Sequence, residues 1–251
     1  MRFRDKVVWV TGASSGIGEA VAVAFSREGA KLILSSRNAA ELERVRQACA
    51  GDGHRVVPFD LTRPDSFPSV GDVDVLVHSG GVSQRSLVVD TDLATDHAIM
   101  ELNFFGTVAL TKAVLPSMLA RKSGHIVPIS SVVGYVGTPL RSTYAASKHA
   151  LHGFFDSLRA EVAKDGIAIT IVCPGYIRTN VSRNALTGNG SAFGKMDDTH
   201  ERAMRPEECA RRIVDAVARR KEEVVIGGLE TWAVPLKRFI PRLVSRMVRM
   251  K

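Results

Sequence analysis

A parallel α/β sandwich, with helices on both faces of the sheet, is the fold this sequence predicts, and three observations predict it. Short apolar, β-branched runs alternate with helical patterns along the chain, the order that builds parallel sheets. The first run carries Val7, Val8 and Val10, the continuous apolarity of a strand buried on both faces. A glycine-rich turn then joins it directly to a helical pattern through Ala20, Val21, Ala24 and Phe25. The 251 residues suffice for one buried core and do not demand a second domain. No internal repeat or low-complexity stretch interrupts them.

The turn reads Thr11-Gly12-Ala-Ser14-Ser15-Gly16-Ile17-Gly18. Strand, glycine turn and helix in that order form a phosphate-binding cradle, because the helix N-terminus offers free N–H groups and a positive dipole end. Gly12 allows the tight turn, Gly16 lets backbone approach a pyrophosphate, and Gly18 permits close helix–strand packing. The second strand, from Lys31, ends in Ser35-Ser36-Arg37. An acidic residue there would bind ribose hydroxyls and repel a 2′-phosphate. Serine and a guanidinium instead suit a phosphate. The chemistry points to NADP(H), with NAD(H) as the alternative.

Further along, Phe59-Asp60-Leu61 carries an acid that serves equally as a helix cap, and Met100-Glu-Leu-Asn103 an asparagine within a helical pattern. The apolar run Gly124–Ile129 ends in Ser130-Ser131, and ligands of open α/β sheets bind beyond such strand ends. Ser130 competes with Ser131 for a role there. Tyr144 and Lys148 lie four apart and thirteen and seventeen residues past Ser131, so a helix puts both on one face. A cation beside a phenol favours its ionised form, and a tuned phenol exchanges a proton with a carbonyl or alcohol oxygen. The run Ile167–Val172 leads into Pro174-Gly175-Tyr176-Ile177-Arg178-Thr179. Residues 180–205 mix Gly188, Gly190 and Gly194 with Leu186, Phe193 and Met196, as a mobile cover over an apolar substrate would.

Taken in order, these segments resemble the short-chain dehydrogenase/reductase family, whose TGxxxGxG turn, Asn, Ser, YxxxK and PG motifs follow one another over roughly residues 5–228. The resemblance implies a Rossmann-type three-layer sandwich with about seven parallel strands. It implies an oxidoreductase in which Tyr144 is the acid/base, Ser131 holds the substrate oxygen, and Lys148 lowers the tyrosine pKa and binds the nicotinamide ribose. Asn103 then holds a water that resupplies the proton. It implies cofactor contacts from Gly12, Ser14, Ser15, Gly16, Ile17, Gly18, Ser36, Arg37, Asp60, Leu61, Ser79, Gly80, Gly81, Tyr144, Lys148, Pro174, Gly175, Ile177 and Thr179. One segment departs: His78-Ser79-Gly80-Gly81 stands where the family has NNAG, so that strand end is expected to be held differently. Three runs, Leu102-Asn-Phe-Phe-Gly, Arg141–Ala150 and Cys173–Asn180, look most like the dehydrogenase/reductase member 7 subgroup. That likeness implies a bulky lipid-, steroid- or retinoid-like carbonyl or alcohol, and a homodimer or homotetramer.

Composition adds limits. Hydrophobic residues at 45% and charged residues at 24% are ordinary for a globular chain. Cys49, Cys173 and Cys209 show neither pairing nor metal spacing, pointing to a reducing, cytoplasmic setting. The seven histidines show no HxH or HExxH pattern, so no metal is expected; His149 and His152 read as solvated helix-face residues. No N-terminal signal and no apolar membrane-spanning run stand out. Of the net charge of +8, six belong to residues 231–251, where Lys237, Arg238, Arg242, Arg246, Arg249 and Lys251 meet no acid, leaving +2 for residues 1–230. Those first 230 residues read as the catalytic domain and the rest as a basic amphipathic tail, with Leu236, Phe239, Ile240, Leu243, Val244, Met247 and Val248 at helical spacing. Such a tail suits peripheral membrane contact. No nucleic-acid motif accompanies the charge. A non-catalytic NADP-binding regulator is the alternative class; it would be marked by loss of Tyr144, Lys148 or Ser131, all of which are present. A nucleotide-sugar epimerase would need a longer segment after Gly175.

Overall fold

A computed structural model of the chain describes residues 1–195 and 203–249. Its core is a six-stranded parallel sheet: β1 (Val7–Thr11), β2 (Lys31–Ser35), β3 (Arg55–Val56), β4 (Val75–His78), β5 (Gly124–Pro128) and β6 (Ile167–Ile169), in the order β3-β2-β1-β4-β5-β6. A parallel pair, β7 (Ile171–Pro174) with β8 (Glu223–Ile226), continues it. β6 and β7 are one extended run interrupted at Thr170, and Val172 bridges back to Ile129 beyond β5. Seven strand positions therefore lie side by side. At the interruption the Thr170 hydroxyl donates to the Lys221 carbonyl and accepts from His125 Nε2 at 2.8 Å.

Helices cover both faces. α1 (Gly16–Arg27) and α6 (Pro206–Ala218) share one side, and α4 (Gly106–Arg121) and α5 (Ser142–Glu161) the other. α2 (Ala39–Ala48) follows β2, capped by the Asn38 side chain, which accepts from the Glu41 N–H. On the first face Val21, Phe25, Ile213 and Val214 pack on Val8, Val10, Leu32 and Leu34. On the second, Leu110, Met118, Leu151, Phe155 and Leu158 pack on Trp9, Leu76 and Ile126. Strand residues alternate between these two clusters, the period-2 pattern that makes the first apolar run continuous.

α3 (Leu93–Met100) runs through a π turn, Glu101–Phe105, into α4 without a break. This 29-residue helix is long and apolar enough to cross a membrane, with a mean hydropathy of 1.4 over its best window, correcting the expectation that no stretch would be. In the fold it is a helix of the domain: Ile99, Asn103, Leu110, Thr111 and Met118 are buried under the sheet.

The His78-Ser79-Gly80-Gly81 segment is anchored without the family's asparagines. His78 Nε2 pairs with Thr111 Oγ1 at 2.9 Å, and the Ser79 N–H donates to the Thr11 carbonyl at 3.2 Å. Burial holds the His78 imidazole neutral, its pKa pulled down to about 3.

β1 and β4 are neighbours whose onward connections run to opposite sides of the sheet. Their carboxyl ends are the switch point where an open α/β sheet binds ligands.

Candidate active site

The cradle at the end of β1 fits only glycine where the sequence has it. Gly12 has φ +64°, and a Cβ there would lie 2.6 Å from the Gly80 nitrogen. A Cβ on Gly18 would stand 2.2 Å from the Gly12 carbonyl oxygen. Gly16, at φ +59°, faces Thr179, whose Cγ2 would be 3.2 Å from an added Cβ. The α1 N-terminus at Ser15 opens into the space these glycines leave, with no side chain capping it. Loop Ser14–Gly18, the Gly80 segment and Thr179 are thus brought together around one concavity at an uncapped helix N-terminus. An open cleft of about 1370 Å³ runs from Ser14, Ser15 and Gly16 past Arg44, Arg178 and Arg205.

Ser36 and Arg37 stand at the β2 end as expected, with Arg37 exposed and close enough to Asp60 to help draw its carboxyl below the usual range. The main cause of that lowering is the Thr62 backbone N–H, which donates to Asp60 Oδ1 at 2.9 Å. Ser35 takes no part. It is buried, accepts from the Trp9 indole at 2.9 Å and donates to the Val57 carbonyl at 2.7 Å. Leu61 lies beneath the cradle, in contact range of Gly80 and Gly106. The Ile177 side chain is buried in the core, so its backbone is what this residue can present to a ligand.

Asn103 sits in the π turn and is buried, a setting common at functional sites. Its Oδ1 accepts from the Val82 N–H at 2.8 Å; its Nδ2 donates to the Val82 carbonyl at 2.9 Å and to Ser147 Oγ at 3.0 Å. One amide therefore clamps the loop after β4 to α5. Gly81 makes this possible, since a Cβ there would lie 3.0 Å from Asn103 Oδ1.

Tyr144 and Lys148 project from α5 toward the strand ends, and Tyr144 lies close enough to Ser131 for that hydroxyl to ease the ionisation of its phenol. Ser131 in turn donates to the Pro174 carbonyl at 3.3 Å. Burial raises the Tyr144 pKa, and Ser131, Arg141 and Arg85 pull against that rise in decreasing order. Lys148 is not among these causes. Its Nζ donates to the Ile129 carbonyl at 2.8 Å and stands 5.8 Å from the Tyr144 ring centre. Helical spacing put both on one face, and the lysine gives one of its three N–H donors to backbone. Burial drops the Lys148 pKa to about 8.

That depression has a stability consequence. Below pH ~8 both folded and unfolded chains hold the proton, and burying the charge costs roughly 3 kcal/mol. Between the folded and the ordinary value of 10.5 the unfolded chain binds more protons, so stability rises with pH. Lys148→Met is therefore expected to stabilise the ligand-free chain relative to wild type at pH 7 by more than at pH 10.5, read by denaturant unfolding at both. A gap equal at both values would mean that Lys148 titrates normally.

Several residues here carry no local signal. Gln84 is wholly buried, and its Oε1 accepts from the Thr143 and Tyr144 N–H groups at 2.9 and 3.3 Å, capping α5 from a loop about sixty residues earlier. Arg85 is held by the Gln84 carbonyl and by Ser182 Oγ at 3.1 Å. His152 is not a solvated residue: it is packed against the Tyr135 ring at 4.5 Å, and its Nε2 pairs with Ser130 Oγ at 2.9 Å. Ser130 Oγ also donates to the Lys148 carbonyl at 3.2 Å, so its hydroxyl is spent inside the fold. His149 stays exposed. Ligand atoms of His152, Cys173 and Glu223 come within 4.8 Å of one another, a grouping no sequence spacing shows.

Residues 180–195 are laced to the body. Leu186 exchanges backbone bonds with Ser83 and Arg85, Gly188 accepts from Asp92 and Thr95, and Ser182 and Ala185 are fully buried. Residues 196–202, including Met196, and Lys251 of the tail lie outside the described residues.

The family model described as short chain dehydrogenase matches residues 6–189. Dehydrogenase/reductase SDR family member 7B of Bos taurus is 42% identical over 262 residues, covering 98% of this chain and 81% of that protein. Dehydrogenase/reductase SDR family protein 7-like of Drosophila melanogaster is 45% identical over 239 residues, covering 90% and 73%. Among solved structures, a short-chain dehydrogenase from Streptomyces avermitilis superposes with a TM-score of 0.77 at 28% identity, covering 98% of this chain and 100% of that one. A serine dehydrogenase complexed with NADP+ shares the fold at a TM-score of 0.78 and 23% identity, covering 89% and 95%.

Proposed function

The chain belongs to the short chain dehydrogenase family, and from that membership we propose that it interconverts a carbonyl and an alcohol on a hydrophobic, lipid-like substrate with NADP(H). The observation that carries the reading is the convergence of three side chains at the strand ends: Ser131, bonded to the Pro174 carbonyl, Tyr144 beside it on α5, and Lys148 one helical turn along, bonded to the Ile129 carbonyl.

The Gly12–Gly18 cradle and the α1 N-terminus fit a pyrophosphate, because each glycine leaves room where a Cβ would strike backbone or Thr179. Ser14, Ser15 and Ile17 would line that group with Thr179 above it. Ser36 and Arg37 would hold the adenosine-side phosphate, while Asp60, Leu61, Ser79 and Gly80 flank the adenine. Pro174, Gly175 and the Ile177 backbone would border the nicotinamide. Bound there, the cofactor supplies or accepts a hydride. Ser131 Oγ holds the substrate oxygen and offsets developing charge. Tyr144, kept protonated at neutral pH by burial, donates its phenolic proton to that oxygen in reduction and takes it back in oxidation. Lys148, with its lowered pKa, exchanges protons readily near pH 8 and is the proton reservoir next to the tyrosine. Asn103, beside Gly81, keeps the loop and α5 in register for that transfer.

Arg37→Glu tests the cofactor choice. The expected result is about a tenfold or greater loss of NADPH affinity with NADH affinity held or improved, read by fluorescence titration. An unchanged NADPH affinity would place the discriminating contact elsewhere. Substrate-dependent NADPH oxidation with long-chain ketones and aldehydes tests the reaction class. Leu93 and Phe105, exposed at 70% and 52% along the α3–α4 helix, favour a homodimer or homotetramer built on that helix. A cytoplasmic protein with peripheral membrane contact fits the basic tail.

A further inference from the structure

We propose that residues 229–249 are a docking surface for an anionic lipid bilayer, fixed to the rim of the catalytic site so that a lipid-borne substrate enters from the membrane. Docking stands independently of the reaction; the substrate route rests on the reading above.

The tail folds as α7 (Ala233–Phe239) and α8 (Pro241–Met247), packed on each other. It leaves large apolar side chains in water. Leu229 is 86% exposed, Trp232 63%, Phe239 78%, Ile240 49%, Leu243 44% and Met247 67%. Only Val244 is fully buried among the described residues of this segment. Six exposed large apolar residues in nineteen positions form a patch that folding alone does not explain. On α8 Leu243 and Met247 lie four apart on one face, with Ile240 just before the helix, while Arg242 and Arg246 lie four apart on another.

Charge decides the occupant. Residues 231–249 hold Lys237, Arg238, Arg242, Arg246 and Arg249 and no acid. A protein partner would have to supply matching carboxylates at each cation, whereas an anionic bilayer supplies phosphates everywhere along the apolar edge. Long cationic stems lie along apolar surface and lift their heads to the phosphates, and a tryptophan beside them suits the headgroup level. Each cation near an anionic surface strengthens binding about fivefold.

The patch is tied to the active site by Glu230. Its Oε1 accepts from the Tyr176 N–H at 2.9 Å and the Gly228 N–H at 3.0 Å. Gly175 and Gly227 make room for this carboxylate: a Cβ on either would come within 2.1 and 2.5 Å of Glu230 Oε1. Pro174, next to Gly175, accepts the Ser131 hydrogen bond. Leu229 and Trp232 flank Glu230, so the exposed apolar patch begins at the wall that borders the substrate oxygen.

The chain has two tryptophans, and Trp9 is buried at 1% exposure, so an emission change on docking reports Trp232. Full-length protein would be floated with phosphatidylcholine vesicles lacking or containing phosphatidylglycerol, and separately mixed with brominated lipid. Expected are co-flotation only with phosphatidylglycerol, release by salt, and quenching of emission that Trp232→Phe removes. Phe239→Glu combined with Leu243→Glu, both at exposed sites, is expected to lower the bound fraction about tenfold while NADPH affinity is unchanged. Flotation equal for the double variant and wild type, or none, would overturn docking. So would a double variant whose only change is the loss of self-association by sedimentation, since the patch would then join copies of the chain. For the route, the double variant is expected to lose about tenfold turnover on a vesicle-borne ketone and none on a short water-soluble one. Equal loss on both would overturn it. Absence of turnover by wild type on either ketone would overturn the proposed reaction and with it the route, leaving the flotation result to decide docking.

Discussion

Tyr144→Phe is expected to lower carbonyl-reducing turnover by on the order of a thousandfold while leaving NADPH affinity within about twofold of wild type. The phenol beside Ser131 holds its proton at neutral pH, because burial raises its pKa. Removing the oxygen deletes the proton without altering the ring that fills the space on α5. Gln84 still caps the helix through backbone N–H groups, so the scaffold keeps its shape. The measurement is single-turnover oxidation of bound NADPH with excess ketone, beside a binding titration. A variant retaining more than about a tenth of wild-type turnover would remove Tyr144 from the acid/base role. A joint loss of binding and turnover would mean that the tyrosine acts on structure.

Gly18→Ala is expected to have the next largest effect. An added Cβ would lie 2.2 Å from the Gly12 carbonyl oxygen and 2.8 Å from its carbon. Both neighbours are backbone, so no side chain can swing aside. Either α1 lifts from β1, opening the packing of Val21 and Phe25, or the cradle opens. Forced overpacking of this kind costs roughly 1–3 kcal/mol and displaces the N–H groups aimed at the phosphate. Expected are a destabilisation in that range by denaturant unfolding and a loss of NADPH affinity of at least tenfold, by the loss of those contacts. Gly137→Ala is the control, since nothing lies within 4 Å of its added Cβ and its φ is not positive. If the two variants bound NADPH equally well, the cradle would not be the phosphate site.

Much of this was legible in the sequence wherever the physics is local. The β1 strand, the glycine turn and α1 follow from periodicity and from where a Cβ cannot fit. That Tyr144 and the Ser130-Ser131 strand end meet at one edge follows from strand-end placement and helical spacing, while the difference between the two serines comes from the long-range bonds of Ser130. Side-chain direction was legible only in part. Helical spacing set Tyr144 and Lys148 on one face, yet it did not show that Lys148 gives one of its N–H groups to the Ile129 carbonyl. Alternation along β2 turns Ser35 inward, where it locks Trp9, and leaves Ser36 and Arg37 outside. Long-range partners were not legible at all. Nothing near Gln84 in sequence announces that it caps a helix beginning at Ser142. Nothing near Glu230 announces Tyr176, and nothing near His152 announces Ser130. These contacts exist only once the strands set which loops meet at the carboxyl edge.

The central claim is that this site reduces and oxidises a hydrophobic carbonyl–alcohol pair through Tyr144. Its most direct test is cofactor absorbance during incubation of wild-type protein and NADPH with a panel of hydrophobic ketones and aldehydes, repeated with Tyr144→Phe. The account expects NADPH oxidation that depends on a particular carbonyl and disappears in the variant. Tight NADPH binding with no oxidation on any member, or oxidation that survives in Tyr144→Phe, would contradict it.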